Sequence, residues 1–290
     1  MNRRKFLTTA GLTALSLPVM KLEALNNLTA SLSNTPQMPA LFLAHGHPIN
    51  AVLDNNFTKT LGSIRKNIEK PNAIMVVSAH WETNGTFVSV NPYPSTIYDF
   101  GNFDDRLFKV KYEPKGHPSL AKETLKLNSL IKEDSRMGLD HGAWTVLKHV
   151  YPEAEIPVFQ LSIDYTQSPQ YHFELAKQLK SLRKKGVLIV GSGNIVHNLG
   201  RLNWSNQNVK PHDWAVEFDL AVKEKLEQQQ FTDLVNYQNM GKSALLSIPT
   251  NEHYLPLLYT IGLLEKGEHI ETIYEAYEFG ALSMRSFKIS

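Results

Sequence analysis

The chain has 290 residues, 42% of them hydrophobic and 20% charged, the balance of a folded domain and not of a disordered segment. Thirty Lys and Arg against 28 Asp and Glu leave a formal charge of +2, too little to argue for nucleic acid or an anionic membrane as partner. There is no cysteine, which excludes disulfides, thiolate zinc sites, iron–sulfur clusters, cysteine nucleophiles and a lipoprotein anchor, and the eleven histidines turn attention to imidazole chemistry.

Residues 1–30 read as an export signal. Arg3-Arg4-Lys5-Phe6-Leu7 follows the twin-arginine pattern Arg-Arg-x-Phe-Leu, and the apolar stretch from Phe6 to Met20 is shorter than the ~20 residues of a membrane span. A periplasmic protein without a lasting membrane anchor is the expectation. Residues 31–37 are polar and read as a linker, leaving 38–290 as one catalytic domain.

From Met38 onward strand-like apolar runs alternate with helical patterns. Residues 39–44 predict a short buried strand, 57–68 a helix through Phe57, Leu61, Ile64 and Ile68, and 73–79 a strand buried on both faces. Asn84-Gly85 is a hairpin signal, so 86–90 is expected to run antiparallel to its neighbour. Residues 119–133 predict an amphipathic helix capped by Ser119. Strands at 156–163 and 186–193 flank a helix at 169–185; helices at 213–229 and 252–264 and a last strand at 281–289 complete the chain. The fold class is α/β: a single domain with a mainly buried central mixed sheet flanked by helices, and a site at the strand ends.

Four histidines recur at element ends: His45 after the first strand, His80 after the second, His197 after the strand at 186–193, and His253 at the start of the apolar helix. His141 lies in a loop-to-helix turn. Neutral imidazole is the commonest ligand for zinc and iron, so the pattern points to a histidine-rich metal site; the spacing 45, 80, 197, 253 matches no compact zinc motif. If the first strand continued through His47, His45 and His47 would face the same way. His117, His149, His172, His212 and His269 read as ordinary surface or helix residues. Trp81 and Tyr98-Asp99-Phe100 fit either an aromatic pocket or core packing, Asp140 either orients His141 or caps a helix, and Ser192 and Asn194 are read mainly as turn residues.

The segments PALFLAHGHP, SAHWETNG, LDHGAW, GSGNIVHNL, NEHYLPLLY and ALSMRSFKI, in that order, resemble the class III extradiol ring-cleavage dioxygenases, and most closely the 4,5-DOPA extradiol dioxygenase branch. The resemblance implies a mononuclear divalent metal, Fe(II) for dioxygenase activity with zinc as another ion the site could bind, and a catechol-type aromatic substrate opened by O2. It implies His45, His80 and His253 as metal ligands, His197 as a further ligand or an acid/base, and His141 as a catalytic histidine facing substrate or dioxygen. The resemblance expects Ser where His47 stands. No carboxylate clearly fills the slot of the usual two-histidine-one-carboxylate triad; Glu252 is the nearest candidate. A zinc hydrolase using the same histidines and a non-catalytic metal-binding module are the competing readings.

Overall fold

Apolar runs long enough to be buried on both faces become the central strands. The computed structural model describes residues 37–290; the expected export signal and nearly all of the expected linker lie outside them. In chain order the first half contains β1 (Ala40–Ala44), α1 (Asn56–Ile64), β2 (Ala73–Ser78), β3 (Glu82–Thr83), β4 (Thr86–Ser89), α2 (Pro118–Leu127), β5 (Ile131–Asp134), α3 (His141–Val150), β6 (Val158–Gln160) and β7 (Ile163–Asp164). The second half contains α4 (Pro169–Arg183), β8 (Val187–Gly193), α5 (Asp213–Glu227), α6 (Phe231–Val235), α7 (Lys242–Ser247), α8 (Leu255–Gly262), β9 (Ile270–Tyr274), β10 (Tyr277–Glu278), β11 (Leu282–Ser283) and β12 (Ser286–Ile289).

Six strands form one sheet in the order β6-β2-β8-β1-β12-β9. The first four are mutually parallel and the last two antiparallel, the mixed sheet expected. Side-chain alternation sends Phe42, Met75, Val77 and Ile189 to one face, under α4, α5 and α8. It sends Leu41, Leu43, Val76 and Val190 to the other, under α1 and α3. Each such Leu or Val, fully removed from water, contributes about 1.5–3 kcal/mol by transfer. Among the described residues no helix is long and apolar enough to cross a membrane.

Several local expectations need correction. The stretch 119–133 is not one helix: α2 ends at Leu127, and residues 131–134 form a strand. Its cap is not Ser119 but His117, whose Nδ1 accepts the N–H of Leu120 at 3.3 Å, with Pro118 in the first turn; a ring nitrogen does there what a hydroxyl usually does. Asn84-Gly85 does turn the chain, with Gly85 at φ 94°, but closes no hairpin ladder. β3 pairs in parallel with β7 and β4 in parallel with β5, while Val88 makes one antiparallel bridge to Leu161. The turn therefore wraps the segment around residues 161–164, whose hydrogen bonds to both arms outcompete pairing between the arms. The strand expected at 156–163 is split into β6 and β7, and that at 281–289 into β11 and β12.

Candidate metal centre

The histidines gather at the carboxyl ends of the parallel strands, where open α/β sheets place their sites. β1 ends at Ala44, and His45 follows, 1% exposed. β2 ends at Ser78, and His80 follows after one residue. His253 reaches the same point from the other direction, in the turn before α8, and β8 makes room for it. A Cβ on Gly193 would lie 2.2 Å from the carbonyl oxygen of His253, and one on Gly191 2.4 Å from that of Pro256. The two glycines let the turn lie directly on the strand, and the Asn194 N–H donates to the His253 carbonyl at 2.8 Å.

Two of the three rings, those of His45 and His253, are held from behind. Ser192 donates its hydroxyl to the Gly142 carbonyl at 2.5 Å and so accepts from His45 Nδ1 at 3.0 Å. His253 Nδ1 lies 3.0 Å from Glu252 Oε1. Both contacts fix the proton on Nδ1 and leave Nε2 with a free lone pair, the usual way in which outer partners prepare a ligating imidazole. Glu252 therefore stands behind His253, on the side away from the free Nε2. His45 Nε2 and His80 Nε2 are 3.1 Å apart, and one nitrogen from each of His45, His80 and His253 lies within 4.8 Å of the other two. Two imidazole nitrogens sharing an ion at 2.0–2.1 Å stand about 3.0–3.4 Å apart, so the arrangement fits a single metal. Burial, reinforced by mutual repulsion, holds His45, His80 and His253 well below the ordinary histidine pKa, keeping them neutral, the form that ligates.

The other two expected residues flank this group differently. The His197 ring stacks on that of His253, with centroids 3.4 Å apart and planes within 5°; its potential ligand atoms group with Glu252 and His253, not with His45 and His80. Burial, with His141 nearby, lowers its pKa to about 4. His141 begins α3, its ring centroid 3.8 Å from that of His80. Its Nδ1 is 3.0 Å from Asp99 Oδ2, and its backbone N–H donates to Asp99 Oδ1 at 2.8 Å. Burial raises the Asp99 carboxyl, but the bonds from His141 outweigh it and hold the group below its ordinary range. Asp99 thus remains a carboxylate and accepts the Nδ1–H of His141, whose Nε2 it does not engage.

Asp140 does not orient His141. It caps α3, accepting the N–H of Ala143 at 3.1 Å, and accepts the Ser78 hydroxyl at 2.5 Å. His47 is not part of the ligand group. Gly46 takes φ 59°, ending the alternation that would have aligned the two histidines. A Cβ there would press on the end of the Met284 side chain at 2.7 Å, and the positive φ itself favours glycine. His47 instead caps the short 3-10 turn Pro48–Val52. His172 is buried against Tyr259 at 3.1 Å, and His149 against the Asn50 carbonyl at 2.9 Å.

A cavity of about 200 Å³ opens over the five histidines. A dry cavity of about 150 Å³ takes up benzene, so one substituted ring fits. Phe100 and Asp99 line it; Trp81 and Tyr98 do not. Phe103, Leu199, Leu202 and Trp204 complete its mouth. They come from irregular segments in which no periodicity marks them.

Residues 33–286 match the family model described as the catalytic LigB subunit of aromatic ring-opening dioxygenase. The chain belongs to this family. LigB-family relatives match it over most of its length. The "4,5-DOPA dioxygenase extradiol" of Escherichia coli (strain K12) is 42% identical over 262 residues, 88% of this chain and 96% of the relative. The protein of the same name from Beta vulgaris is 35% identical over 257 residues, 86% and 95% of the two chains. A crystal structure of an uncharacterized protein from Escherichia coli K12 superposes with a TM-score of 0.77 at 40% identity, covering 87% of this chain and all of the other. The mononuclear metal of LigB dioxygenases finds its three-histidine counterpart here, and neither competing reading is favoured.

Proposed function

We propose that this chain opens the ring of a catechol-type, DOPA-like substrate by extradiol cleavage, with a ferrous ion held by His45, His80 and His253. The observation that carries this is the convergence of three imidazoles, two of them anchored from behind, on one point of an apolar, ring-sized cavity, beside a fourth imidazole held by a carboxylate. When bound, the ferrous ion supplies the electron transfer that O2 chemistry requires. The residues supply the rest. A catechol must shed a hydroxyl proton on the way to ring opening, and His141, its Nδ1 engaged by Asp99, is the group placed to accept it at Nε2. His197, neutral and stacked on the edge of the ligand group, is assigned to proton transfer at the opposite side and not to the ligand set. The apolar wall excludes water and fixes the ring plane.

Iron, not zinc, is the working metal in this reading, because zinc has no redox chemistry although three histidines would bind it. Anaerobic loading with Fe(II), followed by O2 and a catechol, is expected to consume O2 and give a yellow ring-opened product, while the zinc-loaded protein gives neither. No O2 uptake with any catechol would overturn the proposal. We also propose periplasmic export, supported by Arg3-Arg4-Lys5-Phe6-Leu7. Changing Arg3 and Arg4 together to lysine is expected to strand the protein in the cytoplasm; unchanged periplasmic recovery would remove this assignment.

A further inference from the structure

The cavity has two unlike halves. Its floor is imidazole, and its outer wall is made by Phe100, Phe103, Leu199, Leu202 and Trp204. No Lys or Arg lines it among the described residues, and its one carboxylate, Asp99, is committed to His141. Set into the outer wall are two further side chains with a polar atom, the ring of His47 and the indole of Trp204. Phe103, Phe279 and Trp204 surround that ring, with centroid distances of 4.6, 5.4 and 6.0 Å.

The His47 ring has a defined polarity. Its Nδ1 accepts the Ile49 N–H at 3.1 Å, and a nitrogen that accepts carries no proton, so the hydrogen is on Nε2. No acceptor among the described residues lies within hydrogen-bonding distance of that Nε2. The outer wall therefore offers its occupant neutral donors only, the His47 Nε2–H and the Trp204 indole N–H, on an otherwise apolar surface.

Resting on the ring-opening reading above, we infer that His47 determines specificity: its Nε2–H donates to an uncharged oxygen on the ring substituent, so the preferred substrates are catechols with a neutral, largely apolar side chain carrying a carbonyl. The zwitterionic side chain of DOPA fits this wall less well. Its ammonium and carboxylate would give up water with no opposite charge to receive either, whereas a neutral carbonyl loses little hydration and gains a hydrogen bond.

The test compares catechol, L-DOPA and methyl 3-(3,4-dihydroxyphenyl)propanoate on the Fe(II)-loaded enzyme, with anaerobic dissociation constants measured by calorimetry. The ester is expected to exceed L-DOPA in kcat/KM by roughly 10-fold, about the worth of one well-made hydrogen bond. His47→Ser keeps a helix-capping oxygen and is expected to keep its metal. It should raise KM and Kd for the ester by a similar factor, leave those for L-DOPA unchanged and so narrow the preference. Catechol opened but L-DOPA preferred to the ester, or the ester KM and Kd unchanged in His47→Ser, would overturn the inference while leaving the ring-opening reading intact. No turnover or binding of any of the three would overturn both.

Discussion

His45→Ala is expected to abolish ring opening and metal-dependent stabilisation together. The His45 Nε2 lies 3.1 Å from that of His80, and its removal leaves two imidazoles to hold the ion. Losing only an outer partner of a ligand costs about 10–100-fold in metal affinity, so loss of the ligand itself should exceed about 100-fold. A bound metal raises the melting temperature through its affinity for the native state alone. Wild-type protein should therefore melt higher on titration with Fe(II) or zinc, and His45→Ala should not. The metal-free variant should melt close to the metal-free parent, because His45 is a desolvated imidazole facing others and contributes to the site more than to the fold. A metal-induced rise in His45→Ala equal to that of the parent would remove His45 from the ligand set.

Asp99→Asn should separate proton transfer from metal binding. Asp99 accepts from both the backbone N–H and the Nδ1 of His141. An asparagine has one acceptor oxygen; with that on the backbone N–H, its amide N–H faces Nδ1. His141 must then present an unprotonated Nδ1, which moves the proton to Nε2 and turns the cavity-facing nitrogen from acceptor into donor. General-base contributions run to about 10²–10⁴-fold, so kcat should fall on the order of 100-fold or more. Metal content should hold and KM should change little, because Asp99 stands 3.7 Å from His80 Nδ1 and touches none of the ligand nitrogens. The pH profile is the decisive readout. An enzyme that had merely loosened would lose rate uniformly, whereas loss of the base leaves deprotonation to solvent, so the deficit shrinks as pH rises toward the ionisation of the catechol itself. Unchanged kcat with full metal occupancy would show that His141 is not the proton acceptor.

The strands and the clustering of His45, His80 and His253 are legible because both are local. Residues 73–78 could hardly be anything but a buried strand, and histidines after three such runs fall at strand ends by sheet geometry alone. What could not be read were partners far apart in sequence. Asp99 sits between two aromatics and looked like pocket lining; its bond to His141, 42 residues later, obeys no spacing rule. Asp140 was the obvious neighbour for His141, yet the start of α3 required a cap and took it. His47 would face the same way as His45 only if strand periodicity ran on two residues further, and the positive φ of Gly46 ends it. The strand at 131–134 was hidden because Ile131, Lys132, Glu133 and Asp134 suit a helix equally well until β4 is there to pair with them.

The placement of the last strand bears on how the protein is made. β1, which delivers His45, is hydrogen-bonded on one side to β8 and on the other to β12. Phe42 thus waits for partners about 150 and 245 residues downstream, pairings of high contact order that form slowly. Ser286–Ile289 is made after His45, His80, His141, His197 and His253, so the strand behind His45 gains its second neighbour only once all five residues have been synthesised.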